Sequence, residues 1–287
     1  MQIQNTNSNS GFKKPKVNVL TIHFGINHGS VLQCYALCKT LETFGAVVEV
    51  IDYVPPRYKM WENVKIKYPN MPSIWKLAYF VASSIIRFPQ KVIFRNYLKR
   101  HLNLTIRYPT AESLKSNPPK ADLYLVGSDQ VWNSTYNGSD DKSYMLEFVP
   151  EGKQKASYAA SIGKNELVEQ EGKSLASGIA DYVGVSVREV GAQKLLAEYE
   201  VSARVDLDPV FLLDVNQWRK LANNHKIQKP YVLVYVIAQN YETMIQQARE
   251  IADRLGAQLF VLSVRPIHSI GVDHNYIFSN PSDFLGL

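Results

Sequence analysis

The stretch VNVLTIHFGINHGSVLQCYALCKTLETFGAVVEVID, residues 17–52, decides the fold. Its first residues, 17–23, are rich in Val, Leu and Ile and predict a strand. A Gly-containing loop follows, and apolar residues at helical spacing predict a helix over 30–44. A second strand is predicted over 47–52. Because parallel strands need a crossover connection of this kind, the stretch predicts a parallel sheet in an α/β fold.

The β/α alternation continues along the chain and predicts two Rossmann-like domains. The first covers residues 17–207, with a helical insertion at about 56–110, and the second covers residues 208–287. Further strands are predicted at 123–126, 156–160, 182–187, 231–237, 258–264 and 276–278. The polar residues 1–16 predict a disordered tail. We expect the second domain to be incomplete, because it is shorter than the roughly 100–150 residues typical of a domain.

A long helix is predicted within the insertion, over residues 74–102. Its first part is apolar and its later part is basic, and Pro89 should end or kink it. Two interpretations are open. The helix can pack on the sheet with a solvated basic face, or it can rest on the anionic inner face of a membrane. The basic side chains are Lys76, Arg87, Lys91, Arg95, Lys99 and Arg100.

Composition excludes several classes of protein. The 287 residues are 46% hydrophobic and 20% charged, which is ordinary for a globular protein. No secretory signal, no apolar run of about 18 residues and no nucleic-acid-binding motif is present. Cys34 and Cys38 share a helix face and are too few for a zinc site, so no metal is predicted. The net charge of +6 suits an anionic substrate or an anionic membrane face, and it equally suits simple solubility.

Four predicted strands end in polar or Gly residues. The carboxyl ends of parallel strands share one edge of a sheet, and ligands bind at that edge in open α/β folds. These residues are therefore candidates for a binding site. They are His23, Gly25, Asn27, His28 and Gly29; Gly127, Ser128, Asp129, Gln130, Trp132 and Asn133; Ser161 and Gly163; and Ser186, Arg188 and Glu189.

Each candidate has a chemical and a structural interpretation. The guanidinium fork of Arg188 suits a carboxylate or phosphate, but it can instead pair with a neighbouring acid. Asp129 can orient a sugar hydroxyl or act as a base, or it can cap a helix. The loop 25–29 can hold an anion on its N–H groups, or it can be a tight turn. His23 and His28 can bind substrate or transfer protons at neutral pH, or they can fill structural positions.

Taken in order, these segments resemble the polysaccharide pyruvyl transferases. The likeness spans residues 17 to 287, and the combination is more specific than any one piece. The segments are Thr21-Ile22-His23 through Asn27-His28-Gly29 to Leu32-Gln33-Cys34-Tyr35-Ala36-Leu37, Ile51-Asp52-Tyr53, Gly127-Ser128-Asp129-Gln130-Val131-Trp132-Asn133, Ser157-Tyr158-Ala159-Ala160-Ser161-Ile162-Gly163, Ser186-Val187-Arg188-Glu189 and Asp208-Pro209-Val210-Phe211-Leu212-Leu213.

The resemblance implies a GT-B-like, cytoplasmic enzyme. Such enzymes transfer a pyruvyl group from phosphoenolpyruvate to two hydroxyls of a surface-polysaccharide sugar, leaving a cyclic pyruvate ketal. Arg188 matches the family's donor-binding Arg, and the expected catalytic residues are Asp129 and His23. The expected partners are phosphoenolpyruvate and a sugar or lipid-linked oligosaccharide, without a further cofactor. Other residues expected to bind substrate are Gly25, Asn27, His28, Gly29, Gly127, Ser128, Gln130, Trp132, Asn133 and Ser161.

One departure from the family pattern is expected to matter. Family members carry a Ser-Phe-His-Gly or Arg-Leu-His motif whose His is the general acid, and residues 1–287 contain no such motif. We expect it beyond Leu287, and we expect this chain alone to be inactive. Two other functions stay open on the sequence. They are a GT-B nucleotide-sugar glycosyltransferase and a non-catalytic module that binds carbohydrate or anions.

Overall fold

The computed structural model describes residues 13–287, except 60, 61, 63, 66, 67, 139, 238–240, 265, 266 and 268–270. Most of the predicted tail, residues 1–12, and part of the predicted insertion therefore lie outside the described residues. Lys16, the last residue assigned to the tail, already opens the first strand.

Five parallel strands form the first sheet, in the order β3-β2-β1-β4-β5. They are β1 (Lys16–Leu20), β2 (Val47–Tyr53), β3 (Leu104–Tyr108), β4 (Leu123–Val126) and β5 (Gln154–Ser157). Four of the five residues of β1 are buried, as expected of a central strand covered on both faces. The carboxyl ends of β1 and β4 therefore lie side by side.

A further parallel pair extends this sheet beyond β5. It consists of β6 (Ser186–Val187) and β7 (Arg204–Val205). The backbone N–H of Ala160 donates to the carbonyl of Ser186 at 3.0 Å, and the N–H of Arg188 donates to the carbonyl of Ala160 at 3.0 Å. These bonds bring the end of β6 to the edge where β4 and β5 end.

Helices cover the first sheet, and the first of them begins beside the end of β1. The side-chain oxygen of Asn27 accepts a hydrogen bond from the N–H of Ser30, so Asn27 caps that helix. Cys34 and Cys38 lie buried on it as free thiols. The helices are α1 (His28–Thr43), α2 (Ser73–His101), α3 (Ala111–Ser116), α4 (Ser134–Asn137), α5 (Glu169–Gly178), α6 (Val190–Ala197) and α7 (Val215–Leu221).

A second parallel sheet follows, in the order β10-β9-β8. Its strands are β8 (Tyr231–Val236), β9 (Gln258–Ser263) and β10 (His274–Tyr276), accompanied by α8 (Glu242–Leu255) and α9 (Pro281–Gly286). Two α/β units, each built on a parallel sheet, are the GT-B-like arrangement, so the predicted fold class is confirmed. The domain limits themselves stay predictions.

Residues 104–108 differ from the sequence prediction. They fall inside the predicted helical insertion but form the edge strand β3, because Thr105 and Ile106 are β-branched and the stretch pairs with β2.

Pro89 lies inside α2 and does not end it, so the first of its two predicted effects, a helix end or a kink, is wrong. Pro89 is exposed, so water can replace the hydrogen bond that the carbonyl of Ile85 loses.

The C-terminal turns of helix α2 pack on the first sheet. Phe94, Tyr97 and Leu98 are buried in a cluster with residues of β1, β2 and α1. In residues 73–89, by contrast, no described side chain is buried. Among the described residues, no helix has the length and apolar character needed to cross a membrane.

Candidate functional site

The loop after β4 begins in close contact with α1 and the end of β1. A Cβ at Gly127 would lie 3.1 Å from side-chain carbons of both Thr21 and Leu37, so a larger residue would push these elements apart. Ser128 is fully buried, and its carbonyl accepts a hydrogen bond from the hydroxyl of Thr21. This close approach places the next residue, Asp129, beside the first turn of α1.

Asp129 has an unusual backbone and a well-defined carboxylate. Its φ is +83°, a region that residues other than Gly rarely adopt, and such strain clusters at functional sites. Its Oδ2 accepts from the hydroxyl of Ser30 at 2.8 Å, and its Oδ1 accepts from the N–H of Gln130 at 2.8 Å. Burial raises the pKa of Asp129 above its ordinary value, against the effect of these two hydrogen bonds.

Arg188 lies at the end of β6 between two carboxylates. Its Nε donates to Oε1 of Glu189 at 2.9 Å, and its Nη1 donates to Oδ2 of Asp208 at 3.0 Å. The hydroxyl of Ser128 is 3.5 Å from the same Nη1. Burial would lower the pKa of Arg188, but Glu189 and Asp208 outweigh it and raise that pKa. Both the local ion pair and the position at the sheet edge that the sequence predicts are therefore present.

The Arg188 and Asp129 groups form one electrostatic cluster. Arg188 acts to lower the pKa of Asp129, and Asp208 acts to raise it. Asp208 and Ser30 were not predicted as site residues. The signals for Asp208 were the Asp-Pro pair that opens a 3₁₀ turn, Pro209–Leu212, and its place in the last resembling segment. The cluster combines the cation of Arg188, the carboxylates of Asp129, Glu189 and Asp208, and the hydroxyls of Ser30 and Ser128 at the carboxyl edge of the sheet.

Gln130 and Asn133 support the loop. The side-chain N–H of Asn133 donates to Oε1 of Gln130 at 2.7 Å, and its carbonyl oxygen accepts from the N–H of Thr135 at 3.0 Å, capping α4. Gly163 has φ +62°, and a Cβ there would lie 2.5 Å from Oε1 of Gln130. These amides hold the loop against residue 163.

Ser161 joins the same loop through its backbone. Its N–H donates to the carbonyl of Asp129 at 3.0 Å, and its carbonyl accepts from the N–H of Trp132 at 3.1 Å. Its buried hydroxyl has no hydrogen-bond partner in the part of the chain that the structure describes. Ser161 therefore fixes the backbone around Asp129 and leaves a polar atom for a ligand or a water.

Trp132 is directed into the core. It is 4% exposed, and its Nε1 donates to the carbonyl of Tyr144 at 3.0 Å. One side of the ring borders a cavity of about 580 Å³ whose walls also include Asn133, Asp141 and Glu171. Trp132 therefore has a packing role, and its described contact with open space is along the side of the ring that borders this cavity.

His23 is buried and turned away from solvent. Its Nδ1 donates to the carbonyl of Thr21 at 2.9 Å, and its Nε2 lies 3.5 Å from Oδ1 of Asp52. Nη2 of Arg95 on α2 binds the other carboxylate oxygen of Asp52 at 2.6 Å. Burial would raise the pKa of Asp52, but His23 and Arg95 together lower it to about 2. His23 has a structural partner here, and its catalytic role stays a prediction.

The buried Asp52, which contacts His23 and Arg95, makes stability depend on acid pH. The folded pKa of Asp52, about 2, lies below its ordinary value of 3.8. The ionised carboxylate therefore contributes its full stabilisation above pH 3.8, and this stabilisation is lost as the pH falls through about 2. We expect the free energy of unfolding to fall by roughly 2 kcal/mol over this range. Urea denaturation from pH 5 to pH 2 would measure it, and Asp52→Asn should flatten that part of the curve. An unchanged slope in the variant would contradict the assignment.

The loop before α1 is split between two environments. Gly25 is half-buried, while Asn27 and Gly29 are exposed beside the N-terminus of α1. His28 is buried, its ring stacked on Phe284 with centroids 4.9 Å apart. Burial lowers the pKa of His28 to about 4, against the opposing effect of Asp283. His28 therefore joins the two α/β units as a neutral aromatic group, and its substrate-binding role stays a prediction.

The described residues contain no cluster of three or more His, Cys, Asp or Glu side chains able to hold a metal ion. The arrangement at the sheet edge can instead bind an anion at Arg188 and accept a proton at Asp129.

The family model for polysaccharide pyruvyl transferase matches residues 27–287, nearly the whole chain. The chain belongs to the polysaccharide pyruvyl transferase family. The resemblance carried by the motif segments is therefore confirmed. As a member of this family the protein is a transferase, and both Arg188 and Asp129 lie within the matched residues.

Similarity to solved structures is distant. A putative UDP-N-acetylglucosamine 2-epimerase from Listeria monocytogenes is 14% identical with a TM-score of 0.40, and the match covers 95% of this chain and 71% of that one. UGT89C1 of Arabidopsis thaliana, complexed with quercetin, is 11% identical with a TM-score of 0.37, covering 92% of this chain and 69% of that one. Likeness at this level says nothing about function. Comparison with curated proteins gives no significant match.

Proposed function

We propose that this family member transfers a pyruvyl group from phosphoenolpyruvate to two hydroxyls of a sugar in a surface polysaccharide. One observation carries the proposal. The guanidinium of Arg188, at the carboxyl edge of the sheet, shares a polar cluster with Ser128, Asp208 and the strained Asp129. A cation for an anionic donor and a carboxylate for proton transfer therefore lie within one site.

The chemistry assigns a task to each group. Two sugar oxygens bond to C2 of phosphoenolpyruvate, the C2–O bond to phosphate breaks, and the methylene carbon gains a proton to become a methyl group. The two hydroxyl protons end on that methyl group and on phosphate. A cation must therefore hold the donor's carboxylate or phosphate, and a base must assist the sugar hydroxyl.

Arg188 is suited to the first task. Its Nε donates to Glu189 and its Nη1 to Asp208, and these two bonds keep the guanidinium in one orientation. A donor carboxylate or phosphate can take the place of Asp208 at Nη1 and accept from Nη2 as well, which is the bidentate geometry that Arg favours. The two acids thus preorganise the cation, and phosphoenolpyruvate competes with Asp208 for it.

Asp129 is suited to the second task. Its pKa is raised by burial, which brings a carboxylate closer to the pKa useful for a base near neutral pH. Ser30 and the N–H of Gln130 hold both oxygens in place. We place this reaction in the cytoplasm, with a sugar or lipid-linked oligosaccharide as acceptor and no further cofactor.

Phosphate release tests the proposal directly. The protein is incubated with phosphoenolpyruvate and candidate nucleotide-linked or lipid-linked sugars, and the product is checked for a ketal methyl group by NMR. We expect phosphate release that depends on both the acceptor and phosphoenolpyruvate. Sugar transfer from a nucleotide sugar, with phosphoenolpyruvate inert, would overturn the proposal in favour of a glycosyltransferase.

Arg188→Ala should weaken binding of phosphoenolpyruvate by about 2–3 kcal/mol, roughly 30- to 150-fold in Kd. The lower part of the range for a truncated charge pair applies because the side chain is 29% exposed. Calorimetric titration measures the change. Arg204→Ala is the matched control, since Arg204 also pairs with an acid, Asp206, at 2.8 Å but is largely exposed. Equal affinity of the Arg188 variant and the control would remove Arg188 from the donor site.

A further inference from the structure

Helix α2 carries an apolar stripe that stays exposed in the part of the chain that the structure describes. Large apolar side chains recur at spacings of three and four residues, so they lie on one face of the helix. All of them are exposed, and Phe88 is 66% exposed. The stripe, named here the α2 stripe, consists of Ile74, Leu77, Val81, Ile85, Phe88 and Val92.

The part of α2 that bears the stripe lies outside the core and contacts the segment just before it, for example through Tyr79 and Tyr68, whose ring centroids are 5.2 Å apart. None of the described side chains of residues 73–89 is buried, whereas Gln90 and Phe94 are buried directly after it. The amide of Gln90 donates to the carbonyls of Val264 and Ile277, both at 2.8 Å, so the helix is anchored there. At about 1.5 Å per residue, the exposed part is an arm of roughly 25 Å.

The charge of α2 is of one sign. Its 29 residues include no Asp or Glu, and basic residues flank and extend the stripe. Lys91 lies beside Val92, and Lys99 continues the line of the stripe by seven residues; both are exposed. Trp75, 65% exposed, lies at the other end, and tryptophan is favoured where an apolar phase meets water. An apolar face with a cationic border fits an anionic lipid surface.

The same charge pattern disfavours a second copy of the chain as the occupant. Two α2 stripes packed in parallel would bring Lys91 and Lys99 of one copy close to the same residues of the other, with no acid on either helix, and like charges at such positions are unfavourable. We propose that the α2 stripe docks in the plane of an anionic membrane surface.

Vesicle flotation tests the proposal on the whole protein. We expect it to float with vesicles of phosphatidylglycerol and phosphatidylcholine in equal parts, and to stay unbound with phosphatidylcholine alone. Raising the salt concentration should weaken the binding, because surface charges are screened. Equal binding to both kinds of vesicle, or binding to neither, would overturn the proposal.

Substitutions locate the contact. Phe88→Glu or Ile85→Glu should weaken binding to the anionic vesicles by tenfold or more, on the order expected for one apolar side chain. Phe44→Glu adds the same charge at a site that is 81% exposed but outside α2, and it should change little beyond its charge effect. Circular dichroism checks that each variant is folded. An equal loss in all three variants would assign the effect to charge alone and would contradict docking by the stripe.

Variants that remove positive charge provide a second test. Lys91→Gln with Lys99→Gln should lower the partition constant about fivefold for each charge. Lys153→Gln with Lys194→Gln, two exposed lysines outside α2, is the matched control for the change in net charge. Light scattering tests the other occupant, a second copy of the chain, because it measures whether the protein is a dimer. A dimer that Phe88→Glu abolishes, together with absence of vesicle binding, would assign the stripe to a second copy instead.

Discussion

Replacing Asp129 with asparagine should lower turnover of phosphoenolpyruvate by about 10²–10⁴-fold, the usual contribution of a positioned acid or base. The substitution isolates the proton transfer because asparagine, like aspartate, tolerates the positive φ of +83° found here. The amide oxygen of the asparagine can still accept a hydrogen bond from the N–H of Gln130, and its NH₂ group can donate one to the hydroxyl of Ser30. The measurement is the rate of phosphate release at saturating donor and acceptor.

Stability separates catalysis from a structural role in the Asp129 experiment. Burial raises the pKa of Asp129, so keeping it ionised at neutral pH opposes folding, and the neutral asparagine avoids that cost. We therefore expect the free energy of unfolding to change by less than about 1 kcal/mol. Ser30→Ala, which removes one hydrogen bond to the carboxylate, should give a smaller loss of turnover. Full turnover in Asp129→Asn would exclude Asp129 as the base.

Trp132→Ala should destabilise the protein by about 3–5 kcal/mol, the range for deleting a buried Trp or Phe side chain. The ring is buried in the larger core cluster, and its Nε1 satisfies the carbonyl of Tyr144. Urea denaturation measures the loss. Trp132→Phe keeps most of the packing and loses the hydrogen bond, so it should cost about 1–3 kcal/mol.

Donor affinity provides the counter-test for Trp132. Because the side chain packs into the core, Trp132→Phe should bind phosphoenolpyruvate as the unaltered protein does. A selective loss of donor or acceptor binding in Trp132→Phe, with stability preserved, would show instead that the ring contacts substrate from the neighbouring cavity.

Local sequence patterns account for the elements at the centre of the fold. Strand β1, helix α1 and strand β4 were predictable because buried strands and helices have characteristic periods and boundaries. The position of Arg188 followed from the same logic, since it comes directly after a short buried strand. The edge strand β3 was missed because its five residues follow a long helix and only the pairing with β2 makes them a strand.

Side-chain direction in irregular segments could not be predicted in this way. The polar residues around Trp132 suggested a substrate-binding loop, but the turn after Asp129 directs the indole into the core. His23 lies beyond the end of β1, where no period applies, and it turns inward to Asp52.

Asp208 was missed for a different reason. It meets Ser128 from 80 positions away in the sequence, so only the folded chain brings the two together.

The anchored end of α2 determines how its exposed end would orient the protein on a membrane. Phe94 fixes the helix to the first sheet, and Gln90 ties it to loops that flank the second sheet. A helix held by the protein at one end and by a surface at the other fixes the orientation of the protein on that surface. On a flat bilayer, the helix would hold the protein at a set angle, and the sheet edge bearing Arg188 and Asp129 would stand at a constant height above the lipid. The exposed part of α2 would then set the distance from the membrane at which an anchored sugar is modified.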